Sequence, residues 1–164
     1  MAESTIIRTK RDGIIAITDA IRTYTIAYEP GDFTFDVPGE TVTLYLDRGV
    51  IGSTPSIRNA DDQPMTLSFT AALRDCVSAS HATLLDLAVI FASGYVSSTW
   101  TDTMGTNSDT KTYTITWTVE GSDHGGSDVT LSFPFVVVRG SVSEGDPDTV
   151  SISGTSYALR PTFA

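Results

Sequence analysis

The chain has 164 residues, 40 % of them hydrophobic and 18 % charged: enough apolar content for one sizeable core and too little charge for a disordered acidic chain. Ten Lys and Arg stand against twenty Asp and Glu, a formal net charge of −10, which is the wrong sign for gripping phosphate backbones or an anionic membrane surface. Cys76 is the only cysteine, so no intrachain disulfide can form, and a reducing compartment fits.

The opening Met-Ala-Glu-Ser-Thr has no basic start followed by an apolar stretch, and the expectation is a chain made without a secretory leader. The basic cluster Arg8, Lys10 and Arg11 reads as a solvated arm or an intersubunit contact, because no glycine-rich phosphate loop accompanies it. Strands are expected at 13–18 (GIIAIT), 21–28 (IRTYTIAY) and 41–47 (TVTLYLD), separated by the turn sequences EPGD at 29–32 and VPGE at 37–40. Arg48 to Pro64, RGVIGSTPSIRNADDQP, has no clear periodicity and reads as a long connecting loop, of the length that usually carries function. A strand follows at 65–71 (MTLSFTA).

SHATLLDLAVIFASG at 80–94 breaks the two-residue period. Leu84, Leu87, Ala88 and Phe91 recur at helical spacing, with Ser80 as N-cap and Gly94 past the end, so one helix is expected at about 80–93. It is apolar on nearly every side and needs cover on more than one; a neighbouring subunit is a natural second cover. Its apolar run, Leu87 to Ala92, is far short of the roughly 20 residues of a membrane span. A weaker strand at 95–100 and a polar loop at 101–110 come next.

KTYTITWTV at 111–119 alternates strictly: Tyr113, Ile115, Trp117 and Val119 on one face, a row of threonines on the other. That row is either a solvated sheet face or the smooth lining of a wall or channel. At 129–138 Val129, Leu131, Phe133, Phe135 and Val137 share a face in the same way, and Pro134 marks an edge or a bulge. Weaker strands close the chain at 149–153 and 155–160. No repeat or composition shift divides it, so 1–164 reads as a single β domain.

The stretch that most resembles chemistry is SDHGGSD, 122–128. Its flanks are alternating strands, so it reads as a hairpin loop whose Gly-Gly supplies positive φ. No HxH, CxxC or HExxH accompanies His124, no bidentate Glu closes a calcium loop, and no serine sits in a nucleophile turn. Cys76 with His81 is a conceivable dyad, but a lone cysteine beside an apolar helix is more often a small buried residue. The reading is therefore no enzyme, no cofactor and no metal. The lysines are only Lys10 and Lys111, so the strand edges carry little of the usual protection against pairing with other chains.

The order of elements resembles the tail tube (major tail) proteins of long non-contractile-tailed bacteriophages. The resemblance rests on TFDVPGETVTLYLDRG at 34–49, ADDQPMTLSFTA at 60–71, the single helix, the TYTITWTV hairpin and FPFVVVRGSVSEGDPDTVSISGTSY at 133–157. It implies two packed antiparallel sheets, a β-sandwich or partly open barrel, flanked by one helix, with the inner sheet joining a barrel in the oligomer. It further implies homohexameric rings stacked into a tube on a tape-measure protein, capped by tail terminator and baseplate or distal tail proteins. Assembly would occur in the bacterial host cytoplasm and the product would be part of the virion. DNA would pass through the lumen during ejection without specific binding, and an acidic wall would repel its phosphates. The 48–64 loop sits where the family reaches neighbouring subunits. Arg48, Arg58, Asp61, Asp62 and Pro64 are the intersubunit contact candidates, since a segment of both signs can bind copies head to tail. The alternatives are a β-sandwich module binding carbohydrate or a receptor, with Trp100 and Tyr95 as the exposed aromatics, or another virion protein such as a head decoration or tail-completion protein.

Overall fold

The computed structural model describes residues 13–26, 32–45, 56–74, 83–89, 100–103, 110–121 and 126–164. The strands in chain order are β1 (Gly13–Thr18), β2 (Thr23–Ile26), β3 (Thr34–Asp36), β4 (Glu40–Tyr45), β5 (Ser56–Asp62) and β6 (Met65–Ala72). Helix α1 (Leu84–Val89) follows, then β7 (Tyr113–Val119), β8 (Val129–Ser143), β9 (Thr149–Ser156) and β10 (Thr162–Phe163). The chain is mainly β, and every pairing is antiparallel. One sheet has eight strands in the order β2-β1-β7-β8-β9-β6-β3, with β10 also on β8; the other is the ribbon β4-β5.

The large sheet folds over on itself into two layers. Along the ladder β3 lies four strand spacings from β7, about 19 Å in a flat sheet. Yet Phe33, just before β3, stacks on Trp117 of β7 with ring centroids 5.3 Å apart, and Phe35 sits 5.3 Å from Phe133 of β8. One layer is β2-β1-β7 with the first half of β8 and β10; the other is the second half of β8 with β9, β6 and β3. Between them lies a single core that includes Ile15, Ile17, Phe69, Ile115, Phe133, Val138 and Ile152.

β8 belongs to both layers, and a bulge turns its corner. Tyr113 pairs with Val136 but Ile115 with Phe133, so one extra residue lies in β8 at Pro134–Phe135, where Phe135 has a left-handed φ of 53°. Pro134 thus marks a bulge as its missing N–H foretold. The extra residue flips the alternation, which corrects the single-face reading of 129–138. Leu131 and Phe133 point into the core before the bulge, Val136 and Val138 after it, and Phe135 and Val129 are exposed.

Three further expectations change. The 155–160 strand does not stand alone: β9 runs unbroken through Gly154 to Ser156. Trp100 is not in a strand, and 95–99 lie outside the described residues. The described helix is Leu84–Val89, and its N-cap is Thr83, whose hydroxyl accepts from the Asp86 amide at 3.1 Å while its carbonyl accepts from Leu87; Ser80 and Gly94 lie outside the described residues. Leu84, Asp86 and Leu87 are all buried by the same chain, so at these positions the helix needs no neighbouring subunit. It lies so close to β8 that a Cβ on Gly140 would stand 2.6 Å from Ala88 Cα.

Candidate functional site

Part of the segment read as a long loop, Ser56–Asp62, is instead a strand that pairs with β4 as the outer half of a β-ribbon; residues 48–55 lie outside the described residues. β3 and β6 pair Thr34 with Ser68 and Asp36 with Thr66. The same register runs on through a Gln63 amide to Gly39 carbonyl bond to the Glu40–Asp62 pair. After a bulge, β4 and β5 continue as Val42–Asn59 to Tyr45–Ser56. β4 and β5 pair with no other described strand, so a ladder about 20 Å long extends past the sheet. Its root is exposed at Glu40, Thr41, Asp61, Asp62, Gln63 and Pro64, and Val42 is 64 % exposed.

The predicted contact residues divide accordingly. Arg58 is in β5, opposite Thr43. Asp61 and Asp62 end that strand, and Pro64 lies in the link to β6. Arg48 lies outside the described residues. The structure adds two residues the sequence reading missed. Glu40 stands directly across the ladder from Asp62, two like charges in register, and Arg160 lines the same groove of about 540 Å³ with Val37 and Leu159. No sequence signal joined Glu40 to Asp62, because their pairing needs β5 to be recognised as a strand.

A second cluster is polar and mostly buried. Trp100, 1 % exposed, donates its indole N–H to the Thr83 carbonyl at 3.0 Å, tying down the start of α1. Its own carbonyl accepts from Lys111 Nζ. The Thr101 amide donates to Asp19 Oδ2 at 2.8 Å and its hydroxyl to the Asp19 carbonyl. Asp19 Oδ1 also accepts from the amides of Ile21 and Arg22 in the β1–β2 turn. Asp102 Oδ1 accepts from the Thr112 amide and hydroxyl, next to β7. Residues 101–103, expected to begin a polar loop, form with Trp100 a clasp joining the β1–β2 turn, the helix and the start of β7. Trp100 is therefore not an exposed aromatic for stacking on a ligand; Tyr95 lies outside the described residues.

Burial alone would raise the Asp19 carboxyl, but the amides of Thr101, Arg22 and Ile21 outweigh it and hold its pKa below the ordinary value. A depressed folded pKa adds stability above the unfolded value, about 3.9, and loses it as pH falls through the folded one. The urea midpoint of the wild type should therefore drop below about pH 4 more steeply than that of Asp19→Asn; parallel curves would remove Asp19 from the acid response. The Tyr113 hydroxyl, buried with no hydrogen-bond partner among the described residues, has its pKa pushed upward by burial and then by Asp102, Asp19 and Asp86, and stays protonated. Asp19 and Asp102 are used as acceptors in the β1–β2 turn and the clasp. Among the described residues no group of three His, Cys, Asp or Glu is placed to hold a metal ion.

SDHGGSD closes the β7–β8 hairpin, with Val119 opposite Val129. The Gly126 amide donates to the Gly121 carbonyl at 2.9 Å, and Asp128 accepts from the Gly121 amide. Residues 122–125, His124 included, lie outside the described residues, as do Cys76 and His81. The threonine row of β7 is half-buried and bonded across strands, Thr118 to Thr130 at 2.8 Å. No helix among the described residues is long and apolar enough to cross a membrane. No protein-family model matches the chain, and no curated protein matches it.

Proposed function

We propose that the protein is a structural subunit of a phage tail tube, a β domain that assembles with its own copies into stacked hexameric rings around a DNA-conducting lumen. The observation that carries the reading is the β4–β5 ribbon, which extends from the β3–β6 pair and pairs with no other described strand of its own chain. A two-stranded ribbon is marginal in water by itself. One with an exposed Val42 and charges of both signs is suited to lie on another copy. Support also comes from the net charge of −10, which lets DNA slide rather than stick, and from the sequence resemblance. Tape-measure, terminator and baseplate proteins would be the further partners, and the virion the destination. Burial of Trp100 counts against the ligand-binding module, which needed that ring exposed.

Negative-stain microscopy of the purified protein tests the reading: hollow tubes or six-fold rings are expected. Asp61→Arg should reduce them at least several-fold while leaving the free energy of urea unfolding within about 0.5 kcal/mol of wild type, since Asp61 is exposed. A protein that stays monomeric at high concentration would overturn the assignment.

A further inference from the structure

The clasp around Trp100 satisfies its polar groups with one exception. The Trp100 indole N–H donates to the Thr83 carbonyl, the Thr101 amide to Asp19, and the Thr112 amide and hydroxyl to Asp102. The Tyr113 hydroxyl, one residue further on at the start of β7, is different. Tyr113 is fully buried, and its hydroxyl has no hydrogen-bond partner among the described residues. Buried polar side chains in folded proteins nearly always find a partner, either a protein group or an ordered water, because an unpaired donor forfeits its hydration for nothing.

The surroundings say what that partner is. The Tyr113 ring stands edge-on to Trp100, with centroids 5.4 Å apart, and Trp100 is tied to the start of α1. Asp102 is anchored on Thr112, the residue before Tyr113 in the chain. Asp19 reaches the same clasp through Thr101, and Asp86 lies buried in the first turn of α1. All three carboxylates act on the hydroxyl through space, Asp102 most strongly, yet none is within hydrogen-bond distance of it. A donor that is near three acceptors and touches none needs an intermediary. Water can accept the phenol hydrogen and donate in turn to a carboxylate oxygen. Asp19 already accepts backbone amides on both of its oxygens. Asp102 takes both Thr112 donors on Oδ1, and a carboxylate has about four acceptor positions.

We infer that a structural water is bound at the start of β7, accepting from Tyr113 Oη and donating to the Asp102 carboxylate. It links the core face of β7 to the 100–103 segment. Internal hydration, together with the Trp100 and Thr112 bonds, then holds the clasp on the sheet. The site lies in the core, away from the β4–β5 ribbon, and is independent of the tube reading.

A high-resolution crystal structure and urea unfolding of two variants test the site. Density is expected for a water within hydrogen-bond distance of both Tyr113 Oη and an Asp102 carboxylate oxygen. Tyr113→Phe keeps the ring and removes only the hydroxyl. That density should disappear in the variant, and its folding equilibrium constant should fall roughly two- to tenfold, the usual worth of one hydrogen bond. In an Asp102→Ala background the bridge has already lost its other end, so the same Tyr113→Phe change should cost less. A Tyr113→Phe protein as stable as the wild type, or more stable, would overturn the site by showing that the hydroxyl is truly unpaired. A Tyr113 hydroxyl bonded directly to a protein group, or lying in the crystal with no water beside it, would overturn it as well. An equal cost of Tyr113→Phe with and without Asp102 would remove Asp102 as the second partner and so refute the bridge. None of these outcomes depends on whether the protein forms tubes, so failure of the site and failure of the tube reading are separately visible.

Discussion

Trp100→Ala should destabilise the domain by about 3–5 kcal/mol, the usual range for emptying a buried indole site. The ring is 1 % exposed and packs edge-on against Tyr113, centroids 5.4 Å apart. Its N–H is bonded to Thr83, which also caps α1. Loss of the ring therefore leaves a cavity, and the Thr83 carbonyl at the root of the helix keeps only its bond from the Leu87 amide. Against a typical total of about 5–15 kcal/mol, that brings the fold close to its limit. Urea unfolding followed by circular dichroism measures the loss. Trp100→Phe separates the two contributions: most of the ring remains, and the missing N–H bond should cost about 1–2 kcal/mol. A change below 1 kcal/mol in the alanine variant would mean that the clasp is not needed to hold helix and sheet together.

Gly140→Val should be worth about 3 kcal/mol or more and should act by pushing α1 off the sheet. The contact is backbone to backbone: even a Cβ would stand 2.6 Å from Ala88 Cα and 2.8 Å from Ala88 Cβ, and no rotamer change relieves it. An undocked helix exposes Leu84 and Leu87, both at most 2 % exposed in the native fold. The variant should therefore bind a hydrophobic dye while keeping most of its β signal in circular dichroism. Unchanged stability and no dye binding would show that the helix can shift to make room.

The two expected losses share a cause. The second half of β8 has no β7 partner beyond Val136, and α1 packs against that region, with Ala88 beside Gly140. The helix and its Trp100 clasp thus complete a core that the curled sheet leaves uncovered.

The sequence by itself determined the class of fold and much of its element list. The alternation in β6 and β7 requires one apolar face per strand, and period two survives there because each strand packs on the core. The helical spacing around Leu84 and Leu87, the hairpin at 122–128 and the irregularity at Pro134 were legible for equally local reasons. Only the tertiary structure decided which strands share a layer, which way β8 faces after its bulge, and that Ser56–Asp62 is a strand. β5 escaped because SIRNADD is polar and rich in residues that strands disfavour. Among the described strands its partner is β4 alone, and no other described strand stands behind the pair to impose alternation. The second half of β8 escaped because one inserted residue exchanges the two faces, and a Pro signals a bulge without saying where the extra residue falls. The candidate contacts Asp61, Asp62 and Arg58 were chosen by composition, whereas Glu40 and Arg160 were not. Their meaning depends on which charges lie across a ladder or share a groove, and both are properties of pairing between distant segments.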